Sequence, residues 1–380
     1  MVHAFHVEDG RVAYRNRWVR TIKWQKEREA GRSLFSAFNP LDNDDSVAGL
    51  ETDGVANTNI IWHGGKLLAL EEGHAPFELD PHTLESIGPH IYGGKLKGPM
   101  TAHPKIDPEN GEMLFFGYNA NGTISEHMTF SVVDRDGKLL RSESFEAPYA
   151  SMVHDFVVTR DHVIFPIMPL TGSLERAFKG GPLYAWEPEK GSHIGIMPRN
   201  GTVKDLKWFR GEASYVFHPM NAFAGDDGKI VCDVCEYPEA PLFPGVDGQP
   251  GDPKKALAKL VRWTFDLTAQ TDSYRVEQLD ELVCEFPRLD ERRAGLSYRF
   301  GYFAGDTQPP EKVGGFNVIA AIDHQTGKLS SYDVGEGCAT SEPIFVPRSA
   351  SCEEGDGFLL AYVFDANRAA SHMVVLDAQN

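Results

Sequence analysis

Val318-Ile319-Ala320-Ala321-Ile322-Asp323-His324-Gln325-Thr326-Gly327-Lys328-Leu329 reads as an apolar strand ending in aspartate, a polar turn closed by glycine, and a returning strand. The same pattern stands at Phe130-Ser131-Val132-Val133-Asp134-Arg135-Asp136-Gly137-Lys138-Leu139. It recurs more weakly at Trp263-Thr264-Phe265-Asp266 and again at Met373-Val374-Val375-Leu376-Asp377. Ile60-Ile61-Trp62-His63-Gly64-Gly65-Lys66-Leu67-Leu68-Ala69-Leu70 is a strand, a Gly-Gly turn and a strand. Phe77-Glu78-Leu79-Asp80 then leads through a turn to Thr83-Leu84-Glu85. Recurring strands with Gly and Asp turns predict an all-β fold, a β-propeller. The spacing is too irregular for WD40-type repeats, so long loops interrupt the blades and cap one face, where sites usually lie. Helix is scarce, and 253–260 (Pro-Lys-Lys-Ala-Leu-Ala-Lys-Leu) is the best short candidate.

After Asp377 come only Ala378, Gln379 and Asn380. A half hairpin leaves an unpaired edge. At the other end, Met1-Val2-His3-Ala4-Phe5-His6-Val7 is already strand-like, with Glu8-Asp9-Gly10 as its turn. The pattern predicts a chain cut at both ends, with a complete small protein as the alternative.

The 380 residues are 41% hydrophobic and 11% aromatic, enough for a large core. No Pro/Ser-rich linker or charge run divides them, so one domain over 1–380 is expected. Net charge is −18, which argues against nucleic acid or an anionic membrane as partner and fits a neutral substrate. There is no 18-residue apolar run, hence no transmembrane helix. Residues 1–30 show no secretory signal pattern. Cys232, Cys235, Cys284, Cys338 and Cys352 are odd in number and thinly spread, which reads as reduced cytoplasmic thiols. Cys232-Asp-Val-Cys235 lies in an alternating strand and reads as structural, since a zinc or redox site needs a second pair or a βαβ context. Oligomeric state is not legible.

Among fourteen histidines, His63, His82, His90, His127, His162, His193, His324 and His372 fall in turns or exposed strand positions. These, with His6 and His74, read as solvated or core-satisfied, and His3 as structural. Three others stand at or next to the ends of strand-like runs: His103 in Thr-Ala-His-Pro-Lys, His154 in Met-Val-His-Asp-Phe and His218 in Val-Phe-His-Pro-Met-Asn-Ala. None sits in a helical H-E-x-x-H pair. Neutral imidazoles converging from separate sheets suit iron, zinc or copper. Metal-bound histidines donate their other ring N–H to a carboxylate or carbonyl. Glu72, Glu285 and Glu342 are candidates for that part, the alternative being three exposed glutamates in turns.

With their flanks, these residues resemble the carotenoid cleavage oxygenase family, which includes the stilbene-cleaving (lignostilbene) dioxygenases. Ala-His-Pro-Lys at 102–105, Val-His-Asp-Phe at 153–156 and Phe-His-Pro-Met-Asn-Ala at 217–222 look like its first three histidine motifs. Glu-Glu-Gly at 71–73, Glu-Phe-Pro-Arg at 285–288 and Ser-Glu-Pro-Ile-Phe-Val-Pro-Arg at 341–348 look like its three glutamate motifs. The resemblance implies a seven-bladed β-propeller, incomplete here, with long loops and short helices capping one face. It implies Fe(II) held by four histidines, of which His103, His154 and His218 are three. The fourth stands in a Gly-Phe-His-Gly context that does not occur here, and is expected beyond Asn380. It implies that Glu72, Glu285 and Glu342 support the ligands. The activity implied is O2-dependent cleavage of a conjugated C=C bond of an apocarotenoid or stilbene-like substrate into two carbonyl products.

Stilbene-cleaving relatives grip a phenol with a tyrosine and a lysine. Alignment places Phe38 and Glu71 at those substrate-binding positions. Phe38 cannot donate a hydrogen bond and Glu71 repels a phenolate. A non-phenolic alkene, an apocarotenoid or a phenol bound in neutral form is left. Two other classes stay open: a propeller hydrolase or lactonase with a carboxylate-bound divalent metal, and a non-catalytic binding propeller.

Overall fold

The computed structural model describes residues 1–37, 39–308 and 315–379. They form two compact units, one of Met1–Ile106 and Asn110–Ala150, the other of Asp107–Glu109 and Ser151–Asn380. In both, the aspartate that ends each strand of the repeated pattern folds its own turn. Asp134 Oδ1 accepts from the backbone N–H of Asp136 at 3.1 Å and Lys138 at 2.8 Å. Asp80 does the same for His82 and Thr83, and Asp266 for Thr268 and Ala269. Asp323 does so for Gln325 and Asp377 for Gln379. A short carboxylate satisfies the turn's amides locally, which explains why this residue recurs there. At Gly64 and Gly65, φ is 56° and 73°. Two consecutive positive φ values match the turn to the twist of the flanking strands.

The first unit opens with the hairpin Val2–Glu8 and Arg11–Arg17. A helix, Ile22–Ala30, follows, which the sequence analysis did not anticipate. None of its residues is buried, so it has no apolar stripe to read. Its ends are nevertheless marked. Thr21 accepts from Trp24 N–H at 3.3 Å, and Gly31 closes the helix at φ 67°. Two four-stranded antiparallel sheets come next, each in chain order. The first is Asn59–His63, Lys66–Leu70, Phe77–Leu79 and Ser86–Pro89; the second is Lys105–Ile106, Met113–Gly117, His127–Val133 and Leu139–Glu146. Leu68, Leu70, Met100, Ala102, Met113, Phe115 and Val133 pack into one core cluster.

The second unit begins with a sheet of Val157–Val158, His162–Ile167, Ser192–Pro198 and Lys207–Gly211. The short helix Leu174–Phe178 lies within an inserted hairpin, Leu170–Gly172 with Tyr184–Trp186. A seven-stranded sheet runs from Tyr215–Ala224 through Ile230–Tyr237, Lys259–Phe265, Arg275–Leu289, Phe300–Asp306 and Val318–Asp323 to Lys328–Asp333. The long strand Arg275–Leu289 is shared. Its first half pairs with Lys259–Phe265, and its second half, from Val283, pairs with Phe300–Asp306. In the last sheet, Gly357–Asp365 pairs with Ala370–Asp377 along its length and with Cys338–Thr340 and Ile344–Pro347 near its two ends. The fold is all-β and propeller-like, built of successive small antiparallel sheets. Among the described residues, no helix is long and apolar enough to cross a membrane.

Residues 253–260 do not form the expected helix. A turn over 253–255 leads into the strand Lys259–Phe265. Eight residues are too few for a helix to stand on propensity, and the strand buries Leu260, Trp263 and Phe265 completely or nearly so. Cys232 and Cys235 are buried free thiols on the strand Ile230–Tyr237.

Between those two cysteines, Asp233 is fully buried. It accepts two hydrogen bonds from Arg262, at 2.7 and 2.8 Å, and one from the Tyr298 hydroxyl at 2.6 Å. Asp233→Ala strands a partly buried cation and a buried phenol. It should cost about 3–5 kcal/mol, read from the urea midpoint. A loss below about 1 kcal/mol, the level of an exposed pair, would show that the network is not structural.

Candidate functional site

Two β-bulges build the centre of the site in the second unit. On Tyr215–Ala224, the register with Ile230–Tyr237 slips between Val216 and Pro219, so Phe217 and His218 oppose Cys235 alone. On Arg275–Leu289, it slips between Glu285 and Arg288, so Phe286 and Pro287 oppose Phe303 alone. Phe286 adopts φ 54°, a left-handed conformation that costs a non-glycine residue free energy. A bulge re-aims a side chain out of the alternating pattern. Here both do so toward each other: His218 Nδ1 donates to Glu285 Oε2 at 2.6 Å. Glu285 is 3% exposed and also accepts from Phe286 N–H.

His154 arrives on irregular chain between Ser151 and the strand Val157–Val158. Its Nε2 lies 3.2 Å from His218 Nε2, with the ring planes 81° apart. Phe217 stands edge-on to His154 at 5.3 Å, and Phe286 lies 5.3 Å from His218. With the Nδ1 proton held by a carboxylate, neutral His218 carries its lone pair on Nε2, aimed at the Nε2 of His154. Two imidazole nitrogens facing at this distance, one backed by a buried carboxylate, are donors of the kind that suits a transition metal. Calcium, which takes oxygen ligands, does not fit it. The histidine cluster could therefore hold a metal ion.

The electrostatics agree with that role. Burial disfavours charge on His218, but the carboxylates of Glu285, Asp155 and Glu342 outweigh it, so its proton affinity lies above that of an ordinary imidazole. Burial, followed by the negative charge of Glu285, pushes the Tyr237 phenol up. Asp155 is buried and accepts from Phe156 N–H at 2.7 Å. Glu342 faces a guanidinium: Arg288 Nη1 donates to its Oε1 at 3.4 Å, and Arg288 Nη2 reaches Glu291 at 2.8 Å.

His103, Glu72 and Glu71 belong to the first unit. His103 is half-buried, and its backbone is pinned on both sides. Its N–H donates to Thr101 Oγ1 at 3.1 Å, Thr101 N–H donates to Phe116 at 2.7 Å, and Asn59 Nδ2 donates to the Ala102 carbonyl at 2.9 Å. Glu72 Oε1 accepts from the Tyr118 hydroxyl at 2.6 Å. Glu71 has an internal partner, His74, whose Nδ1 lies 2.5 Å from Oε1, while Oε2 accepts from Gly73 N–H at 2.8 Å. Burial raises the Glu71 carboxyl, but these bonds and the charges of His74 and Lys23 outweigh it and hold it below the usual range. Phe38 lies outside the described residues.

The structure thus joins His154, His218 and Glu285 directly and brings Glu342 in beside Arg288. Sequence reasoning missed Tyr118, Tyr237, Asp155, Arg288, Phe217 and Phe286. Asp155, Arg288, Phe217 and Phe286 stand inside the quoted motifs, so a signal for them was present. The tyrosines carried none.

Comparison with known proteins agrees. The profile of the retinal pigment epithelial membrane protein family matches residues 1–380. An isoeugenol monooxygenase of Pseudomonas putida is 42% identical over 389 residues, covering 100% of this chain and 81% of that protein. A lignostilbene-alpha,beta-dioxygenase isozyme III of Sphingomonas paucimobilis is 39% identical over 398 residues, covering 100% and 80%. The crystal structure of a Pseudomonas brassicacearum lignostilbene dioxygenase superposes with a TM-score of 0.94 at 36% identity, covering 100% of this chain and 81% of that one. With its bulge-mounted histidine, its glutamate partner and a match along its whole length, the chain belongs to the retinal pigment epithelial membrane protein family, the carotenoid cleavage oxygenases whose motifs it carries.

Proposed function

We propose that this chain is an Fe(II)-dependent oxygenase that cleaves a conjugated C=C bond of a stilbene-like or apocarotenoid-like substrate with O2, giving two carbonyl products. One observation carries the reading: the facing Nε2 atoms of His154 and His218, with Glu285 behind the second ring. Relatives named isoeugenol monooxygenase and lignostilbene dioxygenase support the stilbene-like class, and the net charge of −18 supports a neutral substrate. In this proposal His103 is the third ligand, and Glu72 and Glu342 are outer partners beside Glu285. The family match over residues 1–380 supports treating the chain as one oxygenase domain. Five cysteines, none in a disulfide, support a cytoplasmic setting.

Bound iron would supply the activation of O2. The chain's residues do the rest. Glu285 keeps the His218 proton on Nδ1 and so keeps Nε2 available as a ligand. Its negative charge, at one remove, offsets a cation held by neutral rings. Phe217 and Phe286 give the centre an apolar wall that excludes water and suits a flat conjugated substrate.

The test is reconstitution without oxygen, using Fe(II), followed by measurement of iron per chain. O2 uptake and product aldehydes are then followed with a stilbene and an apocarotenoid. One iron per chain and one O2 consumed per pair of carbonyl products are expected. Calcium uptake with lactone hydrolysis, or no metal at all, would overturn the reading.

A further inference from the structure

We infer that Glu71 and His74 are a positioning pair, which sets the Glu72 carboxylate and the His103 ring where the proposed metal centre needs them. The inference rests on the function proposed above. The geometry is confined to the first unit. Glu71 Oε1 meets His74 Nδ1 at 2.5 Å, and Oε2 accepts from Gly73 N–H at 2.8 Å. These two bonds close the loop 71–74 on itself around Glu72, whose carboxylate is held by Tyr118 at 2.6 Å.

His74 then ties that loop to a second segment. Its backbone carbonyl accepts from Met100 N–H at 3.0 Å, three residues before His103. Met100 and Ala102 are fully buried, so a shift at residue 100 is passed along a packed, irregular stretch of chain to His103. The second ring nitrogen of His74 is also engaged, by Thr52 Oγ1 at 3.2 Å. Every polar atom of the His74 ring is used in holding the loop.

Gly54 shows how closely the backbone is built around this carboxylate. A Cβ there would lie 2.5 Å from Glu71 Oε1, and φ is +89°, where a side chain is strained in any case. Side-chain exposure is 13% for Glu71 and 33% for His74. A hydrogen-bonded pair of this kind is by itself weak evidence for stability. What such a pair does supply is a fixed arrangement, and here the arrangement spans the two segments that bear Glu72 and His103. Both Glu71 oxygens are spent on His74 and Gly73, so the pair acts through neighbouring residues and is a positioning pair.

Co(II) is the spectroscopic probe and Fe(II) the native metal, each loaded into the full chain. Glu71→Ala, Glu71→Gln and Gly54→Ala are compared with wild type. Three quantities are read: the visible Co(II) bands, the rate of metal release to a chelator, and the melting temperature of the metal-free protein. Glu71→Ala and Gly54→Ala should release metal about 10-fold faster, the low end for residues acting through a ligand's partner, with shifted Co(II) bands. The metal-free melting temperature should fall in both, through the strained φ at residue 54 and the His74 ring left without its carboxylate, but not in proportion to the metal release. Glu71→Gln keeps one of the two hydrogen bonds and should fall between alanine and wild type. Unchanged bands and release in Glu71→Ala would overturn the inference. So would a fall in metal-free melting temperature matching the loss of metal, with glutamine no better than alanine. If wild type takes up neither metal, the proposed function fails and takes the pair with it. If His218→Asn abolishes uptake while Glu71→Ala releases metal at the wild-type rate, the pair alone is wrong.

Discussion

A His218→Asn protein should lose its metal and its oxygen-dependent turnover while keeping its fold. Asparagine places an N–H about where Nδ1 stands, so the 2.6 Å bond to Glu285 keeps a donor. The buried carboxylate is then not left unpaired, which would otherwise cost about 1–3 kcal/mol. Nothing replaces Nε2, the atom that faces His154 at 3.2 Å. Removing a ligand should therefore cost more than the about 10–100-fold in metal affinity that removing an outer partner does. His154→Ala should act in the same way, with a smaller effect on stability because His154 is carried by irregular chain. Iron per chain, O2 uptake and melting of the metal-free protein decide the matter together. Stoichiometric iron and undiminished turnover in His218→Asn would remove His218 from the centre.

That substitution is designed on a bulge, and bulges were the part of this fold that the sequence did not announce. The turns were legible because their cause is local. An aspartate capping amides two to four residues ahead acts within one turn, as at Asp134 and Asp323. The register slips at Phe217-His218 and Phe286-Pro287 depend on partner strands elsewhere in the chain. No pattern within either strand encodes them. The same division explains the histidines. His63 and His324 read as turn or exposed strand positions, yet His63 is buried with its Nε2 3.0 Å from the Gly111 carbonyl, and the His324 side chain is 8% exposed. Each is covered by residues far away in sequence. The helix Ile22–Ala30 carried its cap signals at Thr21 and Gly31 but no apolar face, and 253–260 carried helix formers whose leucine was needed by a sheet. The glutamates divide likewise. Glu285 was legible by its motif and has its imidazole, whereas the pairing of Glu71 with His74 and of Glu342 with Arg288 needed the folded geometry.

Glu285→Gln should produce two separable changes in a plot of metal affinity against pH. At high pH, where His218 is neutral in both proteins, affinity should fall by about 10–100-fold, because an amide neither backs the ring with charge nor raises its basicity. At lower pH, protons compete with the metal for His218. In the wild-type metal-free protein, burial works against a charged His218, but Glu285 raises its proton affinity above the ordinary value of 6.5. Wild-type affinity should therefore begin to fall as pH drops through that raised value. The glutamine variant lacks the charge that favours the proton, so its fall should begin at lower pH. Its curve thus has a lower plateau and a later acid limb. Stability of the metal-free protein should carry the matching signature. A raised folded-state affinity stabilises the fold fully below about pH 6.5, and that contribution is lost as pH rises through the folded value. In Glu285→Gln this pH dependence should shrink. A variant curve displaced downward with an unshifted acid limb would mean that Glu285 holds His218 only by shape. A curve that coincides with wild type at every pH would mean that it does not support the ligand at all.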